Sequence, residues 1–382
     1  MDSFGEKKTK FKKIHPNKHL QNSLSIIYYL GFWSEWAKYK YLYNIYTTFN
    51  LTFLLGIIIA SNIVYVIINW GNIEAMMASL NIFFVTYIIR RRKRIKDLIH
   101  ITNSEMFNRD NDKYERITAY YTWQAIFHQI TYQTFGFIAI ISWGSTPILH
   151  QISGTSKQLP MVGWYPYNVT STPVFEFTSL HQFVVICISC INNIAIDTLA
   201  TGFIATACCQ LTILNYNISS MHFYSKIYED LKHCIEHTIM IFDFSKQIQD
   251  VFGTLIFLQL LIDCIVICAV LFNISQVNDY VTSEFLGTLL YTCCVIYQIF
   301  IYCWHGNELH LHSMRICSSA YANNWWDNSK DFKHALLIIM ARAQWPLILI
   351  VGNVMELSLQ NFILVCIYIY NDFIFLFINV IF

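Results

Sequence analysis

Residues 90–96 read Arg-Arg-Arg-Lys-Arg-Ile-Lys, six cations in seven positions, directly after the apolar run Asn72–Ile89. An apolar run stopped by such a cluster marks a membrane span that ends at the cytoplasmic face, because loops on that face carry the Lys/Arg excess. Working outward, windows of about 20 residues find runs able to cross about 30 Å of hydrocarbon. They lie at Leu42–Ile68, Asn72–Ile89, Trp123–Trp143, Phe183–Cys209, Val251–Phe272, Leu286–Cys303 and Leu357–Phe377. The whole chain is 55% hydrophobic and only 13% charged, against about 25% charged in a soluble domain. Eight cations (Lys7 to Lys40) precede the first run and nine (Arg90 to Arg116) separate the second from the third. Lys226, Lys232 and Lys246 lie between the fourth and fifth, and Arg315, Lys330, Lys333 and Arg342 between the sixth and seventh. The alternate loops hold only Lys157. The expected fold is therefore all-α and polytopic, with seven transmembrane helices, the N-terminus cytoplasmic and the C-terminus extracellular.

The smaller features agree with this orientation. The first 23 residues lack an apolar core leading to a small-residue cleavage site, so no secretory signal peptide is expected. The sequons at Asn168 and Asn273 fall in outside loops, where glycosylation is possible; those at Asn50 and Asn217 do not. All 12 Cys sit in spans or inside loops, which points to buried thiols and not to a disulfide framework. Between Tyr216 and Asp250 the residues Ile227, Leu231, Cys234, Ile235 and Ile239 recur at helical spacing. Spans four and five are thus expected to continue as helices into the cytosol. Phe332–Asn353 is apolar but contains Arg342 and Pro346, and is expected as a cytosolic helix broken from the last span near Gly352–Leu357. No internal repeat of the kind that marks inverted-repeat transporters is present.

Several motifs, in order and at matching spacing over residues 159–373, resemble those of insect odorant receptors. Leu30-Gly31-Phe32-Trp33 is similar to the family's entry motif. Trp164-Tyr165-Pro166 and Ser171-Thr172-Pro173-Val174-Phe175-Glu176 follow its second outside loop. Asp197-Thr198, Cys209-Gln210-Leu211 and Cys234-Ile235-Glu236-His237 resemble span four and its extension. The most specific matches are Gln298…Tyr302-Cys303-Trp304-His305-Gly306-Asn307-Glu308-Leu309, Arg342-Ala343-Gln344-Trp345-Pro346-Leu347, Leu357-Ser358-Leu359-Gln360-Asn361-Phe362 and Tyr370-Asn371-Asp372-Phe373. Trp345, Gln360 and Asn371-Asp372 depart from the residues usual there.

The resemblance implies a tuning subunit of an odorant-gated, non-selective cation channel in the plasma membrane of olfactory neuron dendrites. It implies a tetramer shared with the co-receptor, and a small volatile odorant or pheromone as ligand. Lipid surrounds the spans; no cofactor, metal or nucleic-acid partner is expected. The implied organisation is a cytoplasmic N-terminus over 1–41, spans one to six with an outer-half ligand pocket over 42–303, a cytosolic anchor segment over 304–353 and a pore-lining last span over 354–382. A volatile ligand calls for apolar and aromatic walls with one or two hydrogen-bonding groups. Residues of those types in the outer halves of the implied helices are Met76, Leu80, Phe83, Tyr132, Phe135, Ile138, Phe183, Ile186, Cys187, Cys190, Tyr291 and Thr292.

Acids inside a membrane are costly and face a partner or water. Asp197, Asp263 and Glu356 are the instances here, and Asp197 reads as a hydrogen-bonded structural residue. Asp372 falls toward the outer end of the implied pore helix, where a ring of carboxylates concentrates cations. It shares a helical face with Phe375, a candidate hydrophobic constriction, and with Asn379. His305, His310 and His312 lack the companions and spacing of a zinc site. No phosphate loop, nucleophile elbow or metalloprotease motif is present, so nothing supports an enzyme. A metabotropic receptor requires the opposite orientation. A gustatory receptor channel shares this one, but its Thr-Tyr and Gln-Phe end motif is missing at Tyr370–Phe377.

Overall fold

The computed structural model describes residues 17–58, 60–61, 64, 73–108, 112–152, 154, 159–160, 163–221, 227–275, 283–323, 325–368 and 371. Nine helices follow one another among the described residues: α1 (Lys18–Tyr29), α2 (Lys40–Phe49), α3 (Ile73–Thr102), α4 (Asp112–Ile152), α5 (Val174–Ser219), α6 (Ile227–Ser275), α7 (Ser283–Tyr321), α8 (Lys330–Ala343) and α9 (Leu359–Tyr368). A π-helical turn over Asn50–Leu55 prolongs α2. Three of the helices are long and apolar enough to cross a membrane over Val174–Ser219, Tyr228–Leu271 and Gly287–Tyr321.

Helix α5 is the axis of the bundle and packs against α1, α4, α6 and α7. From residue 194 to 211 every side chain is buried, so the helix has no face left for lipid. Ala195, Ala200, Gly202, Ala205 and Ala207 let neighbouring backbones come close. A Cβ at Gly202 would sit 3.0 Å from Leu20 and 3.1 Å from the His19 ring of α1. Helix α4 lies outside this axis. Its Tyr120, Trp123, Phe127, Ile130, Phe137 and Ile141 are exposed at helical spacing, the stripe a helix shows when its outer face meets hydrocarbon.

The extensions expected between spans four and five are present. Helix α5 runs 46 residues and α6 runs 49, about 69 and 74 Å at 1.5 Å per residue, against about 30 Å of hydrocarbon. Leu231 and Cys234 are buried and Ile235 packs on the core as the spacing predicts, but Ile239 is 65% exposed.

The basic cluster does more than mark a side. Lys96 Nζ lies 3.1 Å from Glu35 Oε2 and Arg92 Nη1 donates to Ser34 Oγ at 2.8 Å. Hydrogen bonding from Lys96 holds the Glu35 carboxyl below its ordinary pKa. These contacts fasten α3 to the turn that carries Leu30-Gly31-Phe32-Trp33. Gly31 has φ +90°, and a Cβ there would meet the Tyr46 ring at 2.8 Å, so the turn requires glycine. Trp33 is buried, and its backbone N–H donates to the Tyr43 hydroxyl at 3.0 Å.

The stretch Phe332–Asn353 differs from the continuous helix expected. Helix α8 has 14 residues, about 21 Å, too short to span. Ser329 caps its start and accepts from the Phe332 N–H. Near its end the Arg342 guanidinium lies 4.0 Å from the Phe242 ring centroid and donates to the Trp345 carbonyl at 3.0 Å. The cation that made a span unfavourable thus rests on α6. Pro346 cannot donate to a continuing helix. The chain instead forms a two-stranded antiparallel ladder, β1 (Ile350–Val351) with β2 (Met355–Glu356). Gly352 and Asn353 turn it at φ +61° and +58°, the left-handed region that glycine and asparagine tolerate. The break expected near Gly352–Leu357 is this hairpin.

Candidate ligand site and its polar floor

The seam where α4, α5 and α7 meet carries the polar chemistry of the bundle. Asp197 of α5 is 3% exposed. Its Oδ1 accepts from the Tyr302 hydroxyl at 2.7 Å, and its Oδ2 accepts from Gln298 Nε2 at 2.8 Å and from the Tyr132 hydroxyl at 3.1 Å. One carboxyl therefore ties α4 and α7 to α5. A buried polar group is tolerated when its hydrogen bonds are met, and here three donors meet them.

Asp263 of α6 is the contrasting case. It is 2% exposed, and its Oδ1 accepts from Gln259 of its own helix at 2.9 Å. Its Oδ2 has no hydrogen-bond partner among the described residues. Glu356, the third acid, is exposed at the hairpin.

Beside the Asp197 node, Tyr132, Ile194, Cys294 and Ile301 form a buried cluster with Phe135, Cys190, Tyr297 and Phe300 packed on it. Gly136 permits the approach of α4 to α5, since a Cβ there would meet Ile194 Cδ1 at 2.6 Å and Cys190 Sγ at 3.2 Å. Of the residues expected to line a pocket, Tyr132, Phe135 and Cys190 come together here. Ile138 is 40% exposed on the outer face of α4. Phe183 lies over Gly144, further along α4, where a Cβ would collide with its ring. Ile186 and Cys187 are half-buried on α5. Tyr291 packs on the larger core instead, and the Thr292 hydroxyl donates to the carbonyl of Thr288 in its own helix. Met76, Leu80 and Phe83 lie on the backbone of α3, and their side chains are outside the described residues.

Tyr297 and Cys294 were missed by sequence reasoning, although their spacing from Tyr291 and Gln298 on one helix was available as a signal. The Tyr297 ring lies 5.5 Å from Phe135, 6.2 Å from Tyr132 and 6.0 Å from Phe300. Its hydroxyl is 2.9 Å from His128 Nδ1.

Toward the end of the bundle that carries the basic cluster, the seam continues through His128 facing His305, with ring centroids 5.3 Å apart. Beyond them the Tyr121 hydroxyl lies 2.8 Å from His312 Nε2 and 2.9 Å from Thr212 Oγ1. Glu308 Oε2 lies 3.2 Å from His312 Nε2, and that contact lowers the Glu308 pKa. The histidines that suggested a cluster in the sequence are therefore divided between two separate neighbourhoods. No disulfide joins any of the 12 cysteines. A small cavity of about 10 Å³ opens at this end between Phe107, Tyr114, Gln210, Asn217 and His237, room for about one water.

In the loop before α5, Ser61 Oγ donates to the Trp164 carbonyl at 2.7 Å and Gln182 Nε2 to the Tyr165 hydroxyl at 2.8 Å. Asn168 is exposed, and its Oδ1 accepts from the N–H and hydroxyl of Thr170 within its sequon. Asn50 is buried and donates to the Leu30 carbonyl, and Asn217 accepts from Tyr114. The Asn273 side chain and the pore candidates Asp372, Phe375 and Asn379 lie outside the described residues.

Comparison with known proteins places this architecture. The family profile described as 7tm Odorant receptor matches residues 73–370. The chain is 24% identical over 215 residues to odorant receptor Or2 of Anopheles gambiae, covering 52% of this chain and 56% of that protein. It is 22% identical over 251 residues to odorant receptor 2a of Drosophila melanogaster, covering 61% and 63%. Against odorant receptor 10 of Aedes albopictus the identity is 34% over 106 residues, 28% of each chain. The aligned stretches thus span less than two thirds of these relatives. Among solved structures, the insect olfactory receptor OR5 from Machilis hrabei in complex with eugenol superposes with a TM-score of 0.84 at 15% identity, covering 95% of this chain and 98% of that one.

Proposed function

This chain belongs to the 7tm odorant receptor family, and from that premise we propose that it is the tuning subunit of an odorant-gated, non-selective cation channel. It works in the plasma membrane of olfactory neurons, in a tetramer completed by the family's co-receptor. Its ligand is a small volatile molecule, and no catalytic step is assigned to it. The observation that carries the ligand reading is the cluster of Tyr132, Phe135, Cys190, Cys294 and Tyr297. There an apolar, aromatic surface borders a few fixed polar groups, the chemistry that suits a weakly polar guest. The other members of the expected pocket, from Met76, Leu80 and Phe83 to Phe183, Ile186, Cys187, Tyr291 and Thr292, are proposed as its remaining walls. Asp372, Phe375 and Asn379 are proposed to line the pore, and Asn168 and Asn273 to carry glycans.

The test is a whole-cell recording with and without the co-receptor. The chain alone is expected to give no odour-evoked current; with the co-receptor it gives a fast cation current that persists under G-protein block. Tyr132→Ala should reorder odour preference with ion selectivity intact. Asp372→Asn should alter divalent permeation with the odour ranking intact. A current abolished by G-protein block, or the two variants exchanging their effects, overturns this assignment.

A further inference from the structure

Tyr297, Phe300 and Trp304 recur at i, i+3 and i+7 on α7, so they share one helical face. One end of that face meets the candidate ligand cluster, with Tyr297 5.5 Å from Phe135 and 6.2 Å from Tyr132. The other end meets the last helix. Phe300 lies 6.0 Å from Tyr297 on one side, 5.7 Å from Trp304 on the next turn, and 5.7 Å edge-on from Phe362 of α9. The rings form an unbroken train from cluster to last helix.

The joint on which Phe362 sits is tight. A Cβ at Gly306 would collide with Leu357 Cβ and come within 2.5 Å of the Leu357 carbonyl. The backbone of α7 is therefore pressed against the entry to α9, and α9 cannot slide along α7 at that point. One turn further on, the side of α9 that carries Phe362 is half-buried with Val365 and Cys366, whereas Ile363, Leu364, Ile367 and Tyr368 are exposed.

We infer that Tyr297, Phe300 and Phe362 are a coupling relay, in which the ring of Tyr297 senses occupancy of the cluster and Phe300 passes its displacement to α9. This rests on the ligand-gated channel reading above and adds to it the residues that join ligand to gate. Packed interiors hold discrete arrangements and do not deform continuously. A guest that turns the Tyr297 ring must therefore reseat Phe300, whose other described ring neighbours are His128, Trp304 and Phe362. Tyr297 and Phe300 are positioning residues: they act on the channel through α9.

Among the described ring contacts Tyr297 and Phe362 are joined through Phe300, so their coupling measures the relay. Distant sites without shared partners give additive effects, whereas coupled ones do not. The chain is expressed with the co-receptor and challenged with short-chain alcohols, aldehydes, acetate esters and eugenol. Half-maximal concentration for the strongest response is read in wild type, Tyr297→Leu, Phe362→Leu and the double variant, and again in a Phe300→Leu background. Each single change is expected to raise it about tenfold, the scale of one aromatic pair, and the double variant no more than the worse single. With Phe300 replaced, no further change at the two ends should matter. Tyr297→Phe keeps the ring and should keep the wild-type response. The same cycle on the thermal midpoint of the detergent-solubilised chain needs no ligand, and non-additivity there that vanishes with Phe300→Leu is expected as well. Additive effects in both measurements overturn the relay and leave the channel reading standing. Loss of response in Tyr297→Phe also overturns it, because the hydroxyl on His128 is then the transmitting element. A panel that evokes no current from wild type overturns the channel reading itself.

Discussion

Replacing Asp197 tests whether one carboxyl holds three helices together. Asp197→Ala removes the acceptor of the hydrogen bonds from Tyr302, Gln298 and Tyr132 and leaves three buried donors facing a void. A stranded buried donor costs about 1–3 kcal/mol. Because the three share one acceptor, their losses do not sum independently, and about 3–6 kcal/mol is the expected total. Asp197→Asn keeps the side-chain volume and one accepting oxygen. Its amide can donate to a tyrosine hydroxyl turned to accept, so about 1–2 kcal/mol is expected, the scale of one hydrogen bond. Tyr302→Phe removes one bond and should fall in the same range. Total stabilities of about 5–15 kcal/mol make the alanine variant marginal and leave the other two folded. At about 2 °C per kcal/mol, thermal midpoints of the detergent-solubilised proteins should drop about 2–4 °C for Asp197→Asn and Tyr302→Phe and about 6–12 °C for Asp197→Ala. Cell-surface delivery should fall in the same order. Equal midpoints for Asp197→Ala and wild type would refute the node, and equal midpoints for the alanine and asparagine variants would show that volume, not hydrogen bonding, is what matters.

Asp263 should behave oppositely, since one of its oxygens has no partner among the described residues; Asp263→Leu is expected to match or exceed wild type in thermal midpoint, and a fall as large as that of Asp197→Ala would show a hidden partner. An epitope tag at the C-terminus should be reached by antibody on intact cells and an N-terminal tag only after permeabilisation; labelling of the N-terminal tag on intact cells reverses the orientation drawn from Lys157 and its 24 counterparts. The Glu308 carboxyl is lowered by its contact with His312, so the stability it adds is present above the ordinary carboxylate pKa of about 4.3 and is lost as pH falls through the lowered value. The thermal advantage of wild type over Glu308→Gln should accordingly be full at pH 7 and shrink on acidification below about pH 4, and an advantage independent of pH would remove the charge from the account.

Sequence reasoning reached the long elements and their ends because those are set by composition and by breakers. Within the described residues the apolar runs are helical, Leu231 and Cys234 of the cytosolic spacing are buried, and the break near Gly352–Leu357 is a hairpin. It did not reach the facing of individual apolar side chains. Ile138, expected at the pocket, faces outward. The physical cause is the solvent: in hydrocarbon a leucine or isoleucine gains little by facing protein over lipid, so apolar periodicity carries no inward direction. Polar residues carry it instead, because each must find a partner. Asp197, Gln298, Tyr302 and His128 trace the interior seam where the apolar pattern is silent. The helix expected over Phe332–Asn353 ends at Ala343 because Pro346 cannot continue it, while the seat of Arg342 on Phe242, distant in the chain, is invisible in the linear order.

The same seam limits how this bundle can move. Over residues 194–211 helix α5 is buried on every side, and it is tied to α4 and α7 through Asp197, so turning it would strand several buried donors at once. The Asp197 bonds to Gln298 and Tyr302 also bracket Phe300 on α7, which fixes the backbone of that helix at the level of the ring train. A guest of a few apolar atoms supplies at most about 1.5 kcal/mol per heavy atom even at the best efficiency known. Breaking the Asp197 node would consume about 3–6 kcal/mol of that. Rotating rings on a fixed backbone consumes far less, about 0.5–1.5 kcal/mol per off-rotamer torsion. Transmission through side chains on a clamped α7 is therefore the route a weak volatile ligand can drive, and α9, pressed against Gly306 at its entry and carrying Phe362 on the ring train, is the element that receives it.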